Sequence, residues 1–168
     1  MRKHLLFLFF LPLLAFGFTD WVTVDIDEKV SASFPSQPEK QDMGGNPALV
    51  SKMENGNGCM SMVIDFSAFG MDSAMLADEM GKPESFEQFR ESFLSQIPTA
   101  KLISEKNTKA LGRTCYEFVV EMNEGSGTTT MYNKNIIEGT KMYSFNFYDK
   151  NNNSEEDRNK FLNSIRIK

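Results

Sequence analysis

An α+β domain, with a single antiparallel sheet of six to seven strands packed against two main helices, is the fold class this sequence predicts, and three observations carry it. Short runs alternate apolar and polar residues at the period of a strand and are separated by Gly, Asn and Pro. A stripe of phenylalanines, Phe86, Phe89 and Phe93, recurs at helical spacing in the middle of the chain. A second helical pattern with acids in its first turn follows the last strand pattern.

Residues 21–27 and 29–34 read as two strands joined at Asp27-Glu28. Pro35 and Pro38 stop the second, because proline cannot donate to a ladder. Residues 48–53 and 59–66 read as a hairpin turning at Asn55-Gly56-Asn57-Gly58, where Asn-Gly supplies the positive φ that tight turns require. Residues 72–80, closed by Gly81, predict a short helix. Ser85 with Gln88 three residues on makes a capping box, and Phe86, Phe89, Phe93, Leu94 and Ile97 form an apolar face until Pro98. Three phenylalanines on one stripe require a sheet to bury against.

Residues 101–106, 113–122, 128–137 and 141–148 read as strands of a meander, with Tyr116/Phe118/Val120 and Tyr143/Phe145/Phe147 alternating along two of them. The closing helix starts at Ser154-Glu155-Glu156-Asp157, whose acids suit the positive end of its dipole, and turns Phe161, Leu162 and Ile165 inward.

Residues 1–17 have the layout of a secretory signal. Arg2 and Lys3 open it, residues 5–16 are apolar apart from Pro12, and Ala15 and Gly17 put small residues at −3 and −1 of a cleavage site. The remainder, 18–168, is expected to be one exported domain, periplasmic or secreted, with a bacterial envelope as its setting. His4 is the only histidine of the 168 residues, so cleavage leaves no imidazole for base catalysis or metal ligation. The formal net charge is −5, and the signal holds two of the cations, so the processed chain is more acidic still. That sign disfavours nucleic acid and anionic lipid surfaces. No second apolar stretch approaches the ~20 residues of a membrane span, so no membrane insertion is expected after cleavage.

Several residue groups could carry chemistry. Cys59 and Cys115 are the only thiols, and an oxidising compartment makes them a candidate disulfide, although both also fit strand patterns where cysteine serves as a small buried hydrophobe. Cys59, Met60 and Met62 offer soft donors for a Cu(I) carrier. Asp149-x-Asn151-x-Asn153 matches the first three ligands of a calcium loop, but Ser154 replaces the turn glycine and Lys160 the bidentate glutamate. Asp25 and Asp27, and Glu117 and Glu121, are spaced so that each pair shares a strand face, the minimum for a carboxylate-dependent hydrolase. Phosphate loops, zinc spacings and a Gly-x-Ser-x-Gly elbow are absent from the sequence, and no cofactor is expected.

The run Val30-Ser31-Ala32-Ser33-Phe34-Pro35-Ser36-Gln37-Pro38-Glu39, followed by strands, one helix, more strands and the closing Phe161-Leu162-Asn163-Ser164-Ile165-Arg166-Ile167, resembles the small exported domains of the PsbP-like and DcrB-like group. The resemblance covers nearly all of 18–168 in order of elements. It implies a PsbP-like α/β sandwich and an extracytoplasmic location. The group is not unified by a catalytic motif: its plant members assist a photosynthetic complex and many bacterial members are envelope proteins, so it implies no catalytic residues. Many bacterial relatives carry a lipid-anchoring cysteine that this chain lacks. The function expected is a non-catalytic binding or accessory module for a protein partner or small ligand, with the hydrolase and the copper carrier as alternatives.

Overall fold

A computed structural model describes residues 21–123, 127–150 and 152–168. The signal segment and Asn151 lie outside the described residues. Ten strands and three α-helices follow in the order β1 Val22–Asp25, β2 Val30–Phe34, β3 Glu39–Met43, β4 Asn46–Lys52, β5 Gly58–Asp65, α1 Ser73–Glu79, α2 Pro83–Ser95, β6 Ala100–Ala110, β7 Arg113–Asn123, β8 Thr128–Glu138, β9 Lys141–Lys150, α3 Glu155–Asn163 and β10 Arg166–Ile167.

The strands form two sheets, which corrects the expectation of one. Seven order as β3-β4-β5-β9-β8-β7-β6, and β1-β2-β10 make a separate three-stranded sheet. The division arises because β2 pairs with β1 on one side and, from the far end of the sequence, with β10 on the other. Pairing over that distance leaves no periodic signal in the chain.

Period-two alternation sends successive residues of the large sheet into two cores. Tyr116, Phe118, Val120 and Met122 of β7, with Met131 of β8, pack against Leu76 of α1 and Phe86 of α2. Phe89, Phe93 and Leu94 of α2 complete that side, so the phenylalanine stripe buries against the sheet as its spacing predicts. On the opposite face Tyr143, Phe145 and Phe147 of β9, Ile136 of β8 and Cys59 of β5 meet Val30, Ala32 and Phe34 of β2 and Phe161 and Ile165 of the α3–β10 segment. The result is three layers: α1 and α2, the seven-stranded sheet, then the small sheet with α3.

Local chemistry fixes the helix starts. The Asp72 carboxylate accepts the Met75 N–H at 2.8 Å and begins α1. For α2 the predicted cap is displaced: the helix starts at Pro83 with Lys82 before it, and Ser85 is inside, buried, donating to Glu79 Oε1 at 2.8 Å. Proline's fixed φ and missing N–H suit the first helical position, which moves the N-cap three residues upstream, from Ser85 to Lys82. At α3 the Asp149 carboxylate accepts the N–H groups of Asn153 and Ser154, each at 3.3 Å.

A polar ladder crosses the α1/α2 face of the sheet. Asn133 Nδ2 donates to Ser144 Oγ at 3.0 Å and to Asn146 Oδ1 at 2.6 Å, and Asn135 Nδ2 donates to Asn133 Oδ1 and to the Tyr116 carbonyl. All four side chains are buried. Their mutual bonds satisfy most of the polar atoms that burial would otherwise penalise, and they fix the register of β8 on β9. No helix among the described residues is long and apolar enough to cross a membrane.

Candidate functional site

The small sheet and α3 cover the β5, β9 and β8 part of the large sheet, and the cover thins over β7 and β6. Glu117, Val119 and Glu121 of β7 are half-buried there, and Ser104 and Lys106 of β6 are exposed. Register confirms that these residues share a face: Lys106 lies opposite Glu117, which lies opposite Lys134, and Thr108 opposite Cys115, which lies opposite Ile136. A β-bulge between Leu102 and Ser104 turns Ile103 outward and sets the phase of β6 that makes this alignment.

Where this open shelf meets α3 and β10 a cleft of about 350 Å³ forms, the larger of the two described cavities. Lys106, Thr108, Glu117, Lys134 and Ile136 line its sheet wall, and Leu162, Asn163, Ile165 and Arg166 line the other. Lys109, Ala110 and Leu111 form its rim. Of the cations around it, Lys106, Lys134 and Arg166 belong to the walls and Lys109 to the rim, with Glu117 the one carboxylate among the lining residues.

Glu117 bridges two of them, with Oε2 at 2.9 Å from Lys106 Nζ and Oε1 at 3.8 Å from Lys134 Nζ. Lys134 is the more enclosed cation, its side chain 17% exposed against 64% for Lys106. Arg166 Nη1 donates to the carbonyls of Asn163 and Ile165 at 2.7 and 2.8 Å, and it has no acidic partner among the described residues. In a chain of net charge −5, this recess therefore carries an excess of positive charge, of which Lys134 is the enclosed part and Lys106 and Arg166 the exposed part.

The β6–β7 turn adds a second unusual feature at the same place. Leu111 and Gly112 have φ of 53° and 76°, the two positive values of a type I′ turn. Glycine adopts that geometry freely, whereas a leucine there bears about 1–2 kcal/mol of strain. Leu111 is also 48% exposed, so a strained apolar side chain stands at the mouth of the cleft.

The sequence-predicted site residues fall elsewhere, with one exception. Asp25 pairs with Lys168 at 2.7 Å on the surface. Asp27 is enclosed by structural donors: Oδ1 accepts the N–H groups of Lys29 and Val30 at 2.9 and 3.0 Å, and Oδ2 accepts from Lys141 at 3.0 Å and Tyr143 at 2.7 Å. The structure therefore does not bring Asp25 and Asp27 together as an acid and base. Glu117 is the exception, since it enters the cleft as a counterion of lysines.

Cys59 lies on the small-sheet face of β5, and alternation puts Met60 and Met62 on the opposite face, so the three soft donors do not converge. Asp149 holds the loop before α3 by accepting the N–H groups of Asn153 and Ser154, and Asn153 Oδ1 accepts from Ser154 Oγ at 3.1 Å. Asp149 and Asn153 of the calcium pattern are thus engaged within this loop, and Asn151 lies outside the described residues.

Both cysteines are free and buried. Strands β9 and β8 lie between β5 and β7. At about 4.8 Å per strand the backbones stand on the order of 14 Å apart, beyond the ~7 Å Cα limit of a disulfide. Burial pushes both thiols up, with Asp157 adding to the effect at Cys59 and Glu117 at Cys115, the latter to about 12. Both should resist a thiol reagent in the folded protein and react once guanidinium unfolds it; rapid labelling of the native chain would contradict this burial.

Sequence reasoning missed the cleft because its cations come from β6, β8 and β10. The signal present was the alternation Glu117/Lys134 on two strands of the meander, which could not be joined without the register.

No family model matches the chain, and no curated protein matches it in sequence. Among solved structures it is similar to the solution structure of cyanobacterial PsbP (CyanoP) from Synechocystis sp. PCC 6803, with a TM-score of 0.61 and 11% identity over 92% of this chain and 96% of that one. A crystal structure from Bacteroides thetaiotaomicron VPI-5482 gives a TM-score of 0.48 and 11% identity over 83% of this chain, which spans 45% of that protein's length. LpqN of Mycobacterium tuberculosis, described as involved in cell envelope biogenesis, gives 0.46 and 11% identity over 88% of this chain and 78% of that one. The CyanoP likeness, end to end in both chains, gives this protein a PsbP-like α+β fold.

Proposed function

We propose that this chain is a non-catalytic, exported binding module of the cell envelope that holds a small ligand in the cleft between β6–β8 and the α3–β10 segment. The observation that carries this reading is a cleft in an acidic chain whose lining holds Lys106 and Lys134 on the Glu117 carboxylate and Arg166 on the opposite wall. Binding is favoured over catalysis by the state of the reactive groups. The one histidine is His4, the thiols are buried, and the carboxylates nearest a cavity or core are tied to cations. Export rests on the basic, apolar and small-residue layout of residues 1–17.

Native mass spectrometry of the chain expressed with its N-terminal segment in a bacterium, purified from the envelope fraction without chelator or reductant, tests the reading. The expected species begins at Phe18 and carries a small-molecule adduct that is lost on mild activation and weakened by Arg166→Gln. A chain that stays bare after incubation with a small-molecule extract of the envelope overturns it.

A further inference from the structure

The seven-stranded sheet ends at β6, and that edge is long and bare. β6 runs for 11 residues, and 103–107 are all exposed, which in a strand means that both of its faces are open there. Among the described residues, no backbone group outside the β7 ladder bonds to 101–110. A row of unpaired N–H and C=O groups of this length is a template for one more strand.

The two described cavities lie along this edge. Lys106 and Thr108 line the cleft, and a second recess of about 240 Å³ takes Glu105 and Asn107, with Pro83 and Glu87 of α2 exposed beside them. Lys106 borders both. A strand laid along 103–110 would send alternate side chains toward the two sides.

Charge selects what that strand is. Glu105 is engaged by Arg90 Nη1 at 2.7 and 2.6 Å and by the Tyr116 hydroxyl, which leaves Lys106 and Lys109 as the outward charges. The Lys106 side chain is 64% exposed despite its contact with Glu117, and Lys109 has no ion pair among the described residues. A second β6 would add lysine to lysine, with each Glu105 already engaged by Arg90. The other edge, β3, is short, and its acids Glu39 and Asp42 fall on opposite faces, so it cannot offer a row of carboxylates to one side.

We propose that the outer edge of β6 receives an extended acidic segment of another protein as an additional strand. Its acidic side chains lie on the cleft side, against Lys106 and Lys109, and its neutral side chains lie toward α2, where Glu87 and Glu105 would repel acids. The lysines then work as a filter that bars a second β6 and admits a chain of opposite charge. This docking line borders the cleft and stands whether or not a small ligand fills it.

The probe is a capped heptapeptide of alternating threonine and glutamate, titrated into the full chain labelled with ¹⁵N. It is expected to shift the amides of 103–110 saturably and to slow their hydrogen exchange. The same peptide with lysine for glutamate should bind at least about tenfold more weakly, as should one of equal composition with its glutamates in a single block. N-methylation throughout the peptide removes its backbone donors and should abolish binding. Lys106→Glu and Lys109→Glu should each weaken the glutamate peptide by about fivefold, while Lys40→Glu on the far edge leaves it unchanged.

No saturable shift at 103–110, equal binding of the lysine or block peptide, or binding that survives N-methylation overturns the assignment. Concentration-dependent shifts of the same amides without peptide would make a second copy the occupant and overturn it as well. An envelope adduct without peptide binding removes this docking line and leaves the cleft reading in place.

Discussion

Phe161→Ala is expected to lower the unfolding free energy by about 3–5 kcal/mol, measured by urea denaturation at neutral pH. The ring is fully buried and meets Phe34 of the small sheet at 5.3 Å and Phe145 of the large sheet at 6.2 Å between centroids. It is therefore the rivet through which α3 joins both sheets. Its removal forfeits apolar burial and two ring contacts and leaves a cavity that three separate elements would have to close together. The same change should loosen the cleft, since α3 and β10 form one of its walls, so amide exchange at Ile165 and Arg166 should accelerate more than at Val120 on the opposite face. A loss under about 1 kcal/mol would show that the layers are held elsewhere.

Asp27→Asn is the second large effect, with an expected loss of about 2 kcal/mol at pH 7. Burial alone would push this carboxyl up, but the Tyr143 hydroxyl, the Lys141 ammonium and the N–H groups of Lys29 and Val30 outweigh it and hold the group down at about 2 against its ordinary 3.8. The folded state thus favours the ionised form. The stabilisation is complete above the unfolded value of 3.8 and disappears as pH falls through about 2. The wild-type protein should therefore lose about 2 kcal/mol between pH 5 and pH 2 that the Asn variant does not lose. Parallel stability–pH curves for the two proteins would rule out Asp27 as the source. The donors come from the β1–β2 loop and from β9, so this carboxylate and Phe161 clamp the small sheet to the large one at two points.

Those two clamps also mark how far the sequence could be read. Local patterns were legible: the alternation in 113–122 and 141–148, the Asn-Gly turn, the Asp72 start and the phenylalanine stripe all correspond to elements found in the structure. β3 was missed because all five of its residues are exposed on a sheet edge, so Glu39-Lys40-Gln41-Asp42-Met43 carries no burial pattern. β10 has two residues and no period at all. Tyr116/Phe118/Val120 and Tyr143/Phe145/Phe147 look alike in sequence yet belong to opposite cores, and only the register of β8 between β7 and β9 separates them.

The candidate site followed the same rule. Glu117 could be named from the chain, but its role as a lysine counterion depends on Lys106 and Lys134, which reach it across two different ladders. Of the residues chosen by short spacing, Asp27 and Asp149 serve local backbone N–H groups, where short spacing is what matters, while Asp25 pairs with Lys168 at the surface.

The placement of β9 between β5 and β8 has a kinetic side. Residues 58–65 wait for residues 141–148 before they gain their second neighbour, and β2 waits for Arg166 and Ile167. A chain that emerges N-terminus first can form the β6–β9 meander from near neighbours, but closing the sheet requires distant segments to meet, the slow kind of step in folding. The wall that carries Ile165 and Arg166 depends on β10 meeting β2 across most of the chain, so a ligand held there would favour the completed fold by mass action.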